Sequence, residues 1–166
     1  MSQTSLPPAP AVQLRGIAPA DEPTEGRRLL AGLADGSVPN PAAAGTLSLP
    51  PATSWSPGRI RCETRFDASL TLTPGVVFGG WIACLVDHFA GLVMLSALPD
   101  GSRFLTAGLG VTYHAPLYPG PVTVDTELTT CTPRLAVARV TFHQGGRLVS
   151  TGTVEQIIHR AGGTDA

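Results

Sequence analysis

The sequence predicts an α+β domain in which an antiparallel sheet of five to six strands wraps round one long central helix. Three observations predict it. Residues 78–98 (FGGWIACLVDHFAGLVMLSAL) are apolar nearly all round, with Ile82, Leu85, Val86, Phe89, Leu92, Val93 and Leu95 on most of the circumference and small residues (Gly80, Ala83, Cys84, Ala90, Gly91) on the rest. A helix without a polar face is buried inside something. A half-alternating run precedes it at Arg59–Leu70, and four strand-like runs separated by turn residues follow it. The helix is long enough to span a membrane, but it carries Asp87 and His88 at its middle, a pair a span would rarely tolerate, and no second span exists. It is therefore assigned to the core of a soluble domain.

Taken in order, residues 1–20 are rich in Pro, Ala and Ser and are expected to form a flexible arm. Residues 21–57 are expected to hold a short helix from Asp21 to Leu33, with Leu29, Leu30 and Leu33 as its apolar edge and Asp35-Gly36 as its end. A Pro-rich connection follows, with a strand around Gly45–Leu49. Residues 58–159 form the main domain. In its first strand Ile60, Cys62, Thr64 and Phe66 share one side; a loop over Leu72–Val77 then leads through Pro74-Gly75 into the helix. After the turn Pro99-Asp100-Gly101 come strands at Phe104–Ala115, Val122–Thr132, Leu135–His143 and Leu148–Ile158, read as a four-strand antiparallel meander closed by the hairpin Gln144-Gly-Gly-Arg147. Residues 160–166 are expected to be a disordered tail. One layer of strands round one helix leaves a sheet edge and a helix flank open, so a homodimer or a dimer of dimers is expected to close them.

Composition narrows the function. A chain of 166 residues is enough for one domain with its own core, and a net charge of −1 indicates neither a nucleic-acid footprint nor a polybasic membrane patch. All 11 basic residues are arginine, which removes Schiff-base lysines, pyridoxal phosphate anchors and P-loop lysines. Cys62, Cys84 and Cys131 are odd in number and far apart, and with no signal peptide they read as free thiols of a cytoplasmic protein. The histidines (His88, His114, His143, His159) are scattered, no zinc spacing occurs, and no metal site is expected.

Asp87 is the anomaly. A carboxylate on such a helix must be paired, hydrogen-bonded or protonated. Its neighbours one turn away, Ala83, Cys84, Ala90 and Gly91, supply no counter-ion and leave room beside it. Either it caps buried backbone or meets an arginine from elsewhere, or it is an acid or base facing a slot. Gly79 and Gly80 open the helix, where N–H groups lack intrahelical partners and the dipole is positive. They can form an oxyanion hole, or they can simply permit close packing of helix on sheet. Gly79 and Asp87 lie about 12 Å apart along one helix. One reacting carbon cannot touch both, so a shared site takes Gly79 from one chain and Asp87 from another. Phe78, Leu72 and Trp81 are candidate walls for an apolar slot, and Arg134 is the candidate contact for an anionic group, against the ordinary alternatives of core residues and a solvated surface charge.

Gly75-Val-Val-Phe-Gly-Gly at the helix start, Asp87 eight residues beyond Gly79, and Leu105-Thr-Ala-Gly-Leu-Gly-Val-Thr-Tyr-His-Ala-Pro after the helix together resemble the PaaI-like acyl-CoA thioesterases over residues 58–158. The resemblance implies the hotdog fold and hydrolysis of an acyl-CoA or acyl-carrier-protein thioester, with no cofactor beyond the coenzyme A of the substrate. It implies Asp87 as general base or nucleophile, the Gly79 and Gly80 amides as oxyanion hole across a dimer interface, and Thr106 as an assisting hydroxyl. Two positions depart from the family: Phe78 stands where it has His, and Leu72 where it often has Asn. Thr106 also has awkward parity, falling on the side of Gly108 and Gly110 and opposite Leu109, Val111 and Tyr113; a bulge at Gly108 or Gly110 would turn it round. Two other functions fit the same frame. One is a dehydratase-like hotdog biosynthetic enzyme, which would need a histidine near Phe78. The other is a non-catalytic acyl-thioester binding protein with a structural Asp87.

Overall fold

The computed structural model describes residues 14–73 and 75–160. The N-terminal part holds α1 (Glu25–Asp35) and α2 (Ala42–Thr46); then come β1 (Ser54–Ser56), β2 (Arg59–Phe66), a single 3-10 turn (Ala68–Leu70), β3 (Thr71–Thr73), β4 (Val76–Val77), α3 (Gly79–Ala97), β5 (Ser102–Tyr113), β6 (Gly120–Cys131), β7 (Leu135–Gln144) and β8 (Arg147–Arg160). β1, β2, β6, β7, β8 and β5 form one six-stranded antiparallel sheet in that spatial order, and β3 pairs with β4 as a separate ribbon.

The alternation of each strand decides which side meets the helix. Val122, Val124 and Leu128 of β6, Ala136, Ala138, Val140 and Phe142 of β7, and Val154 and Ile158 of β8 are buried and meet Leu85, Val86, Phe89, Val93 and Met94 of α3 in one core. Gly152 lies so close to Val86 that a Cβ there would collide with it. The opposite sheet face is polar, with Arg59 and Arg139 on Glu127 (3.1 and 3.7 Å) and Arg61 on Asp125 (3.2 Å). α3 runs without a proline, is long and apolar enough to cross a membrane by composition, and ends at Leu98 before Pro99.

Three sequence expectations are corrected. First, the strands after α3 are not a simple meander. β6, β7 and β8 follow one another by hairpins, the last turned on Gly145 and Gly146 at φ 57° and 78°, but β5 lies beside β8. The place next to β6 is held by β2, in register from Arg59↔Glu127 to Phe66↔Gly120, so residues 114–119 cross the end of the sheet. Second, residues 45–49 are no strand: after Pro41 at the N-cap, Ala42–Thr46 winds as a helix, which an alanine-rich run behind a proline favours. One flank of α3 is left open, as expected: Gly80, Cys84 and Asp87 are exposed and Gly91 half-buried, while Ala90 of the small-residue stripe is buried. Third, residues 72–77, expected as a loop, carry the β3–β4 ribbon; Pro74 itself lies outside the described residues.

Of the expected arm, residues 1–13 lie outside the described part, as do 161–166 of the expected tail. Residues 14–20 are tied down: Leu14 bridges Cys131, the Ala18 amide donates to the Ala97 carbonyl (2.7 Å), and Ala18 is buried. α1 starts one turn later than its acidic residues suggest, because Thr24 is the N-cap, its hydroxyl accepting from the Arg27 amide. Arg27 then fastens the segment. Its guanidinium donates to the carbonyls of Ala18, Pro19 and Glu22, and to that of Ser96 at the end of α3 (2.9 Å). Gly26 lies against the Leu95 backbone, where any Cβ would collide with the carbonyl.

Candidate active site

The site is built where α3 meets β5. Across the β5–β8 pair Thr106 faces Gln156, and the next matched pair is Gly108 with Glu155, so Ala107 is the extra residue of a β-bulge. The bulge reverses the parity of the strand. Thr106 thereby joins Leu109, Val111 and Tyr113 on the helix side, and its Oγ1–H donates to Asp87 Oδ1 at 2.7 Å. Without the extra residue Thr106 would point away from the helix. Among the described residues no basic side chain forms an ion pair with Asp87, so the arginine partner weighed from sequence is not there. Asp87 is exposed on the open flank of the single chain.

The other end of the flank is the start of α3. Phe78 is the N-cap and offers no side-chain cap; its carbonyl accepts from the Trp81 and Ile82 amides at 3.1 and 3.2 Å. Among the described residues nothing accepts from the amides of Gly79 and Gly80, which face the positive end of the helix dipole. The Gly79 carbonyl is held by the Tyr113 hydroxyl at 2.7 Å. The Phe78 ring lies directly over Gly80, where a Cβ would clash with it, so Gly80 has a packing role beside its free amide. Two backbone bonds of 2.8 Å, Phe78 N–H to the Leu70 carbonyl and Val77 N–H to that of Leu117, anchor this turn.

The proposed substrate contacts divide. Leu72 and Phe78 are 74% and 45% exposed and flank the entrance to the helix start. Trp81 is not at that entrance: its indole packs edge-on to Phe66 (centroids 4.6 Å apart) and its Nε1–H donates to the Leu47 carbonyl at 2.6 Å, so it serves the core and holds the α2 connection. Arg134 is exposed in the turn just before β7; its carbonyl accepts from the Ile158 amide of β8 at 2.9 Å, so one strand, β8, separates it from β5. The structure thus brings Asp87 and Thr106 together, places Gly79 and Gly80 on the same flank, turns Trp81 into the core, and sets Arg134 one strand from β5 with no bond to any of them among the described residues.

His88, adjacent to Asp87 in sequence, is hydrogen-bonded through Nε2 to the Pro50 carbonyl at 2.9 Å, which requires the Nε2–H tautomer. Burial pushes its pKa down, against the opposing pull of that bond and of Asp87, so it stays neutral. Sequence reasoning missed Gln156. It faces Thr106 across the β5–β8 pair, is fully buried, and its side-chain amide meets no partner among the described residues. The alternation Val154, Gln156, Ile158 marks it as inward-facing, and an inward amide among aliphatic residues is the signal that could have found it. Among the described residues no three of His, Cys, Asp and Glu come together as a metal site would require.

An antiparallel sheet curled round one long helix, with a carboxylate mid-helix and bare amides at its start, defines a hotdog-fold protein. The model of the thioesterase superfamily matches residues 74–151, the stretch over which the chain is similar to that superfamily. Thioester hydrolysis is the chemistry of that class. Among solved structures it is similar to a phenylacetic acid degradation-related protein of Ralstonia eutropha (TM-score 0.68, 22% identity, covering 77% of this chain and 98% of that one). It is similar also to mouse thioesterase superfamily member 2 (TM-score 0.67, 20% identity, 78% and 96%). A hypothetical thioesterase of Streptococcus pneumoniae, solved with coenzyme A, aligns at a TM-score of 0.58 and 23% identity over 66% and 87% of the two chains. At these identities the likeness speaks for the fold. No curated protein matches the sequence.

Proposed function

We propose that the chain hydrolyses acyl-CoA or acyl-carrier-protein thioesters at a site shared by two copies. The observation that carries this reading is the 2.7 Å bond from Thr106 to Asp87, formed only because β5 bulges at Ala107. One Asp87 oxygen is fixed by the hydroxyl, and the other is left to take a proton from water. The thioester carbonyl lies on the free Gly79 and Gly80 amides of the partner copy, which stabilise the negative charge that develops on its oxygen. Water attacks the carbonyl carbon as Asp87 takes its proton, and the tetrahedral intermediate collapses with loss of the thiolate. Direct attack by Asp87, through a mixed anhydride, would use the same geometry. With Phe78 and Leu72 as apolar neighbours, carbonyl recognition falls to backbone donors alone. The CoA-bound Streptococcus relative supports acyl-CoA as the substrate form.

The test is thiol release from a panel of acyl-CoAs. Asp87→Asn is expected to lower kcat by about 10²–10⁴-fold, the usual worth of a positioned base. Thr106→Val, which keeps shape and removes the donor, is expected to lower kcat by about tenfold with little change in KM. Undiminished thiol release in Asp87→Asn would refute the mechanism. Saturable binding with no release from any thioester would favour the non-catalytic binder.

A further inference from the structure

A groove of about 500 Å³ opens directly beside Asp87. Leu29 and Leu33 of α1, Leu49 of the connection, Leu92 and Leu95 of α3, and Phe104 of β5 form its walls. The volume falls within the range of small-molecule pockets, about 300–1,000 Å³. We propose that this groove receives the acyl group of the thioester and selects an uncharged, apolar one of medium length, aliphatic or arylalkyl. The proposal rests on the reading of Asp87 as the reacting carboxylate.

Two independent observations support it. The first is charge. Among the described residues, apart from Asp87 itself, the only ionisable side chain in the lining is His88, which is held on the Pro50 carbonyl and whose neutral form burial favours. Nothing there can pair with an acyl chain that carries its own carboxylate, and desolvating such a group without a partner is costly. The second is Gly91, one turn beyond Asp87. Glycine in mid-helix destabilises relative to alanine, so packing should explain it. Packing within the single chain does not: among the described residues a Cβ at Gly91 would meet only the Phe104 ring, at an ordinary 3.9 Å. What the missing side chain leaves is room in the groove beside Asp87, since both residues line it. Residues 29–52, which supply one whole wall, lie outside the matched segment 74–151, so the selectivity is a property of this chain's N-terminal part.

The experiment measures binding and turnover separately. Calorimetry compares coenzyme A with its non-hydrolysable S-octyl thioether, and thiol release compares octanoyl-CoA with acetyl-CoA, in wild type, Gly91→Leu and Leu29→Trp. Leucine is a better helix former than glycine, and Leu29 is 38% exposed at the groove rim, so thermal melts are expected to show both variants folded. In wild type the octyl chain should tighten binding at least about tenfold over coenzyme A, as burial of several methylenes requires. Both variants should lose that gain, and their octanoyl-to-acetyl ratio of kcat/KM should fall by about tenfold or more. An octyl gain that persists in both folded variants, or that is missing from wild type, overturns the proposal. Hydrolysis with an unchanged octanoyl-to-acetyl ratio removes the groove and leaves the thioesterase reading intact. Loss of the octyl gain in a protein that hydrolyses nothing does the reverse.

Discussion

Thr106 shows how one residue's meaning can hang on a neighbour. Its hydroxyl reaches Asp87 only because Ala107 is accommodated as an extra residue, and β5 is glycine-rich beyond that point, with Gly108 and Gly110 easing the distortion. His88, next to Asp87, carries the opposite kind of interaction. Its folded-state pKa lies below the ordinary 6.5, chiefly through burial. The unfolded chain therefore takes up a proton first as pH falls. The contribution of neutral His88 to stability is fully present above pH 6.5 and is lost as pH drops through the folded-state pKa. Thermal melts at pH 7.5 and 5.5, both above the carboxylate range, are expected to show a lower Tm at the acidic pH. The drop should be smaller in His88→Gln; an equal drop would remove His88 as its source.

At the scale of elements, α3 carries three jobs on three faces. Its apolar face is the core of the sheet, its flank of Gly80, Cys84 and Asp87 stays open, and its first turn presents free amides. Trp81 explains how that first turn is kept in place. It joins α3 to β2 through Phe66 and to the α2 connection through the Leu47 carbonyl. Trp81→Phe keeps an aromatic ring but leaves that carbonyl without its indole donor, and is expected to destabilise by about 1–2 kcal/mol. The readout is a Tm lower by about 2–8 °C for a chain of this size. The buried thiols behave as packing groups: burial pushes the Cys62 pKa up to about 12 and that of Cys131 upward as well.

The whole molecule leaves two surfaces uncovered on one side, the free edge of β5 and the flank of α3, and the two halves of the site sit on that flank about 12 Å apart. A two-chain site makes a specific prediction for mixed oligomers. Gly79→Pro removes one free amide at the first helical position, where proline is well tolerated, and Tyr113, half exposed, can yield to the added ring. Gly79→Pro and Asp87→Asn should each be weak alone. Co-expressed, they should recover about a quarter of wild-type activity, because half of randomly assembled dimers contain one intact site. No recovery in a mixture shown to contain the mixed dimer would refute a site shared between Gly79 of one copy and Asp87 of the other.

The pattern of apolar residues was enough to read the layered architecture, the bounds of α3 and the pairing of β6, β7 and β8, since strand and helix periods are local properties. It also singled out Asp87 and the glycines at the helix start, because a charge on an apolar stretch stands out wherever it is folded. The neighbour of β5, the side on which Thr106 lies and the role of Trp81 were settled only by the tertiary structure. Strand order depends on which edge is already occupied, here by β2 beside β6, and one inserted residue at Ala107 inverts a face without changing the sequence pattern around it. The groove beside Asp87 is of the same kind. Its walls come from residues separated by up to 75 positions, from Leu29 to Phe104, and such a surface exists only once long-range contacts have formed.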